Sequence, residues 1–133
     1  MKTANVPAIE GANAIVDWFG CWPRFHDHYL VQAPSTASAA GVMTIEAWVT
    51  MSATDAQGYF LRERHCLVTF ELSGIDSVEL TEPIFPAVIF ELTLTDETPG
   101  WTIAWSSSYG AGGCIQARVA RVSVEPRIPD ATE

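Results

Sequence analysis

The stretch that decides the fold is residues 42–52, which read VMTIEAWVTMS. Apolar and polar side chains alternate along it, and a period of two is that of a β-strand with one buried and one solvent-facing side. This alternation is typical of antiparallel sheets. Trp48 is an exception because it falls on the outward side, where a helix would cover it or it would contribute to a binding surface. The side chains predicted to face the core are Met43, Ile45, Ala47, Val49 and Met51.

A single helix is predicted ahead of the strands, from Pro7 to Phe19. Pro7 suits a first helical turn, where its missing N–H costs nothing. Gly20 can adopt the left-handed conformation that closes many helices, and Pro23 prevents the helix from resuming. Apolar side chains recur at the spacing of one helix face, at Ile9, Ala12, Val16 and Phe19.

Further strands are predicted over residues 25–33, 65–72, 75–81, 87–95, 101–105 and 114–125. Ser73-Gly74 reads as the tight turn of a hairpin between two of them. The alternation changes parity after Val119, which indicates a bulge. Within residues 87–95, the side chains expected to face inward are Val88, Phe90, Leu92 and Leu94. The other segments are a lead-in over residues 1–5, connections over 52–64, 83–86, 96–100 and 106–113, and a flexible tail over 126–133.

These elements predict one α+β, mainly β domain over residues 1–133. In it, the N-terminal helix packs on a curved antiparallel sheet of about seven strands, which forms a sandwich or an incomplete barrel.

The chain is acidic, with 16 Asp and Glu against 7 Lys and Arg and a formal net charge of −9. This charge disfavours nucleic acid and anionic membranes as partners and favours a basic protein, although it also serves solubility alone. The N-terminal residues lack the apolar segment of a secretory signal, so a cytoplasmic location is expected. Cys21, Cys66 and Cys114 form no C-x-x-C pair, so neither a disulfide framework nor a zinc ribbon is expected. Cys66 and Cys114 lie in apolar strand patterns and are predicted to be buried.

Chemically versatile side chains gather in residues 22–28, which read WPRFHDH. His26 and His28 would face the same side of a strand at a metal-ligand spacing, but further ligands are lacking, and one buried and one exposed histidine is the alternative. No metal or other cofactor is therefore predicted. The serines of residues 106–108 lack a Gly-x-Ser-x-Gly context, so no enzyme is predicted. The glycines of residues 110–113 are expected to form a turn with positive φ.

The order of several short motifs resembles that of the immunity protein 50 family, bacterial proteins of polymorphic toxin systems. The segments that carry the resemblance are Trp18-Phe19, Trp22-Pro23, Phe25-His26-Asp27, the predicted hairpin His65–Leu80 and Ser108-Tyr109-Gly110-x-Gly112.

The resemblance implies a non-enzymatic protein that binds and neutralises a cognate toxin domain. Its motif residues, binding or structural, are Trp22, Phe25, His26, Asp27, Tyr109 and Gly110. In the structural interpretation, the Asp27 carboxylate or His26 imidazole fastens the helix-to-strand corner to the glycine loop. The alternative function is a β-barrel that binds a small ligand between Trp101, Trp105 and Tyr109. The sequence does not predict the oligomeric state.

Overall fold

The strands form a closed antiparallel barrel in which, numbered along the chain, they are adjacent in the order 1-2-3-6-5-4. The computed structural model describes residues 6–54, 56, 58, 60–97 and 100–127. The prediction of a mainly β fold with one helix is confirmed, but the sheet closes with six strands instead of leaving an incomplete barrel of about seven. The elements are α1 (Ala12–Phe19), β1 (Tyr29–Gln32), β2 (Ser38–Thr54), β3 (Phe60–Thr81), β4 (Ala87–Glu97), β5 (Gly100–Tyr109) and β6 (Gly112–Pro126).

The predicted hairpin turn at Ser73-Gly74 is wrong, and this explains the difference in strand number. β3 continues through Gly74, and residues on both sides of it pair with β6. Gly74 has a φ of 61°, and the register shifts between Ile75 and Ser77. The irregularity is therefore a β-bulge. A glycine inside an apolar alternation gives the same local signal for a turn and for a bulge, and only the pairing strand distinguishes them.

α1 begins later than predicted because β6 binds the backbone that precedes it. The Val122 N–H donates to the Glu10 carbonyl oxygen at 2.9 Å, and Glu10 forms a parallel bridge with Arg121. The helix end agrees with the prediction. Gly20 has a φ of 86°, and its N–H donates to the Val16 carbonyl oxygen at 2.7 Å.

The barrel interior is filled by apolar side chains. Met43, Ile45 and Ala47 are buried as predicted, whereas Val49 is half-buried. Trp48 is buried against the rings of His28 and Tyr29, whose centroids lie 4.7 and 5.2 Å from that of its indole. The largest fully buried side chains include Phe25, Phe70, Ile15, Leu30, Met43, Ile45, Leu72, Ile89, Ile103 and Ile115.

Changes of parity alter which residues of β4 and β6 face the core. In β4, Ala87 and Ile89 are buried, and the predicted inward Phe90 is 55% exposed because the register with β5 shifts on both sides of Ile89. In β6, the expected change of parity is present, but it precedes Val119, which is 56% exposed. Leu92 is buried as predicted.

Several predicted connections are shorter in the structure or lie partly outside it. β2 and β3 extend into residues 52–64, and β5 and β6 reduce the loop of residues 106–113 to Gly110-Ala111. Residues 1–5, 98–99 and 128–133, which belong to the predicted lead-in, turn and tail, lie outside the described residues.

Candidate functional site

The segment before β1 is a tight corner rather than the strand predicted to begin at Phe25. Phe25 and Asp27 have φ values of 60° and 70°, a conformation that non-glycine residues rarely adopt. Backbone hydrogen bonds hold this corner against β4. The Asp27 N–H donates to the Ile89 carbonyl oxygen at 2.7 Å, and the Ile89 N–H donates to the His28 carbonyl oxygen at 2.9 Å.

Phe25 and Trp22 pack inside this corner. The Phe25 side chain is 1% exposed, and its ring makes edge-to-face contacts with Phe19, Trp22 and Phe70 at centroid separations of 6.3, 6.1 and 6.4 Å. Aromatic contacts of this geometry add to the free energy of burial. Both residues therefore hold the helix to the barrel.

His26 and His28 lie in different environments, so the prediction that both imidazoles face one side is wrong, and the alternative of one buried and one exposed histidine is confirmed. The His26 ring is exposed, and its Nδ1–H donates to the Phe90 carbonyl oxygen at 2.8 Å. His28 is 7% exposed, with its Nε2 3.5 Å from the Trp48 backbone nitrogen. The positive φ of Asp27 between them removes the alternation of a strand. In the part of the chain that the structure describes, no three His, Cys, Asp or Glu residues are grouped to hold a metal ion.

The glycine loop between β5 and β6 packs against the residues that precede β4. Gly110 has a φ of 82°, as predicted, whereas Gly112 and Gly113 lie in β6 without a positive φ. A Cβ at Gly110 would lie 2.6 Å from the Ile84 carbonyl oxygen. That oxygen also accepts a hydrogen bond from the Ala111 N–H at 3.1 Å. The Trp105 indole N–H donates to the Ala111 carbonyl oxygen at 2.9 Å. Gly110 is therefore required by the backbone geometry.

The start of β4 lies between the corner that holds His26 and Asp27 and the loop that holds Tyr109 and Gly110. Val88 is in register with Tyr29 of β1 on one side and with Tyr109 of β5 on the other. Tyr109 is 61% exposed. Asp27 and His26 bond to β4 as described above, so each motif is tied to β4 and its approach rather than directly to the other.

Burial raises the pKa of two of the cysteine thiols. It raises the pKa of the Cys66 thiol to about 11, and it also raises the pKa of Cys114. Cys66 is fully buried as predicted, whereas Cys114 is partly exposed and Cys21 is exposed. A thiol with a raised pKa carries little thiolate near neutral pH, which disfavours a nucleophilic role.

The net negative charge is concentrated in one part of the chain, because that part lacks Lys and Arg. Between Arg64 and Arg118 the sequence contains no Lys or Arg, and it contains seven acidic residues: Glu71, Asp76, Glu79, Glu82, Glu91, Asp96 and Glu97. The arginines of β6 offset part of this charge, since Arg118 lies 3.7 Å from Asp76 and Arg121 lies 2.7 Å from Glu71. β4 and β5 carry Glu91, Asp96 and Glu97 without any basic residue.

The residues of the alternative ligand site do not share one pocket. Trp101 lines a groove of about 430 Å³, together with Asp76, Glu97, Gln116 and Arg118. Trp105 lines a separate depression of about 240 Å³ on the Glu91 side, and Tyr109 lines neither. Trp101 and Trp105 are four residues apart on β5, which is a distance of about 13 Å along the strand. Their side chains therefore line different pockets.

Phe90 is a surface residue, although the alternation along residues 87–95 predicts that it faces the core. The sequence itself shows that residues 65–117, which include this strand, contain no Lys or Arg.

Comparison with protein-family models, curated proteins and solved structures finds no match to this chain. No helix among the described residues is long and apolar enough to cross a membrane.

Proposed function

We propose that this protein is a non-enzymatic immunity-type protein that binds a cognate bacterial toxin domain in the cytoplasm and neutralises it. The observation that carries the proposal is the negative charge of residues 65–117, which contain seven acidic residues and no Lys or Arg and include all of β4 and β5. The order of motifs around Trp22, Phe25 and Tyr109 resembles that of the immunity protein 50 family and supplies the class of partner.

Charge complementarity supports this assignment physically. Toxins that act on nucleic acid need a basic surface to bind phosphate, and an acidic protein is steered towards such a surface at an increased association rate. The same charge of −9 disfavours nucleic acid and anionic membranes as direct partners. In this proposal, the motif residues maintain the fold and the acidic strands meet the toxin.

The test is co-purification with the C-terminal domain of the large protein encoded immediately upstream, followed by titration calorimetry at two salt concentrations. We expect tight one-to-one binding that weakens steeply as salt rises, because salt screens exposed charges. Absence of binding at low salt contradicts the proposal. Binding that is insensitive to salt removes its electrostatic part.

A second candidate function is binding of a small polar molecule in the groove beside Trp101. The half-buried indole offers a flat apolar surface, and Asp76, Gln116 and Arg118 line the same groove. We expect a ligand of this site to quench tryptophan fluorescence in the wild type and not in Trp101→Phe. Equal quenching in both proteins would contradict this second candidate.

A further inference from the structure

We infer that the outer edge of β4, residues 91–97, receives an extended segment of the basic partner as an added β-strand, with Phe90 as the apolar anchor. The inference rests on the proposed function, because it takes from that proposal a basic protein as partner. It adds the place and the manner of binding.

The barrel is closed by a short seam, so that most of β4 has one edge with no strand partner among the residues that the structure describes. β1 pairs with β4 only through Tyr29 with Val88 and Leu30 with Ala87. The corner before β1 extends these contacts by backbone hydrogen bonds to Ile89 and by the His26 side chain on the Phe90 carbonyl oxygen. From Glu91 onward, β4 pairs only with β5 among the residues that the structure describes.

Such an edge can pair with another chain. Backbone N–H and C=O groups along an unpaired strand provide a template for strand addition, which is an established manner of peptide recognition. Residues 91–97 span about 20 Å, enough for a segment of about six residues. Main-chain hydrogen bonds would supply affinity, and side chains next to the edge would supply specificity.

Phe90 stands where this edge begins. The shifts of register on both sides of Ile89 turn its side chain outward, and it is 55% exposed. Among the residues that the structure describes, the Phe90 ring contacts one other aromatic ring, that of His26, at a centroid separation of 5.4 Å. Exposed aromatic rings beside unpaired backbone are typical anchors of protein interfaces.

The charges on the edge select the occupant. Glu91, Asp96 and Glu97 are exposed, and neither β4 nor β5 carries Lys or Arg. Pairing of this edge with that of a second copy would bring carboxylates together, which is destabilising. A segment that carries Lys or Arg would instead neutralise them. Charge complementarity therefore favours the basic partner over self-association.

The experiment measures binding of the same C-terminal toxin domain by titration calorimetry, with two altered proteins and two matched controls. We expect Phe90→Ala and Glu91→Lys each to weaken binding by about tenfold or more. The controls are Val119→Ala, a residue 56% exposed on β6, and Glu125→Lys, an exposed residue of the same strand. We expect both controls to stay within about twofold of the wild type, since both lie away from the edge.

Hydrogen–deuterium exchange of the wild-type complex distinguishes strand addition from contact by side chains alone. We expect amides of residues 91–97 to exchange more slowly in the complex, because the added strand occupies their hydrogen-bonding groups.

Tight wild-type binding with no loss in the β4 variants, or with no slowing of exchange in residues 91–97, overturns the inference and leaves the proposed function in place. Absence of wild-type binding removes the proposed function and, with it, this inference. Dimerisation of the wild type that Phe90→Ala abolishes would assign the edge to a second copy and also overturn it.

Discussion

Replacement of Gly110 by alanine tests whether the glycine loop is held by backbone geometry. The φ of 82° places an alanine in the left-handed region, which costs about 1–2 kcal/mol. The reduced entropy of the unfolded chain offsets about 0.4–1 kcal/mol of this. The added Cβ would also lie 2.6 Å from the Ile84 carbonyl oxygen and 3.0 Å from the Ala87 Cα. Because these are backbone atoms, relief requires a main-chain shift, which costs about 1–3 kcal/mol.

The sum predicts that Gly110→Ala lowers the free energy of unfolding by about 2–4 kcal/mol. Gly20→Ala is the matched control. Gly20 has nearly the same φ, 86°, and a Cβ there would meet no atom within 4 Å. The control therefore carries the backbone strain without the steric contact, and we expect it to lose about 0.5–1 kcal/mol.

Urea denaturation followed by tryptophan fluorescence measures both proteins. The difference between the two losses isolates the contact with Ile84 and Ala87. Equal losses would refute the reasoning, since they would mean that the segment before β4 moves aside at no cost. A loss of toxin binding by Gly110→Ala without any loss of stability would instead assign Gly110 to the interface.

Four further predictions concern the core, the contact between Arg64 and Trp18, and the cysteines. Phe25→Ala should lower the free energy of unfolding by about 3–5 kcal/mol, measured by urea denaturation; a loss below 1 kcal/mol would contradict its assignment to the core. Arg64→Ala should lower the same quantity by about 1 kcal/mol, since its guanidinium carbon lies 4.3 Å from the Trp18 ring centroid, and Arg64→Lys should recover part of it. The wild type should lose stability relative to Cys66→Ala as the pH rises from about 9 to about 11, because the unfolded thiol ionises before the buried one; parallel pH profiles would contradict this. At neutral pH a thiol reagent should label Cys21 at once and Cys66 only after unfolding.

Local pattern predicted the elements whose signals lie within a few residues. The alternation of residues 42–52 identified β2, and the apolar spacing with Gly20 identified α1 and its end. Gly110 was recognised as a turn glycine and has a positive φ. These predictions succeed because side-chain period and glycine conformation depend on the local backbone.

The sequence predicts the candidate site less well than it predicts the single helix and strands, because the features of the site depend on strands that lie far apart in the chain. Phe90 was assigned to the core, yet a bulge against β5 turns it outward. His26 and His28 were expected on one face, and the positive φ of Asp27 separates them. In both cases, tertiary hydrogen bonds with β4 or β5 outweigh the local alternation.

The sequence by itself determined that this chain forms a mainly β protein with one helix. It also determined that the net charge is strongly negative and that residues 65–117 contain no Lys or Arg. Only the tertiary structure decided that β3 passes through Gly74 and that six strands close into a barrel. It also decided that the seam between β1 and β4 is short, so that within the described part of the chain one edge of β4 is unpaired beyond Phe90. The physical reason is that composition and period are properties of the chain, whereas closure and register depend on which distant strands pair.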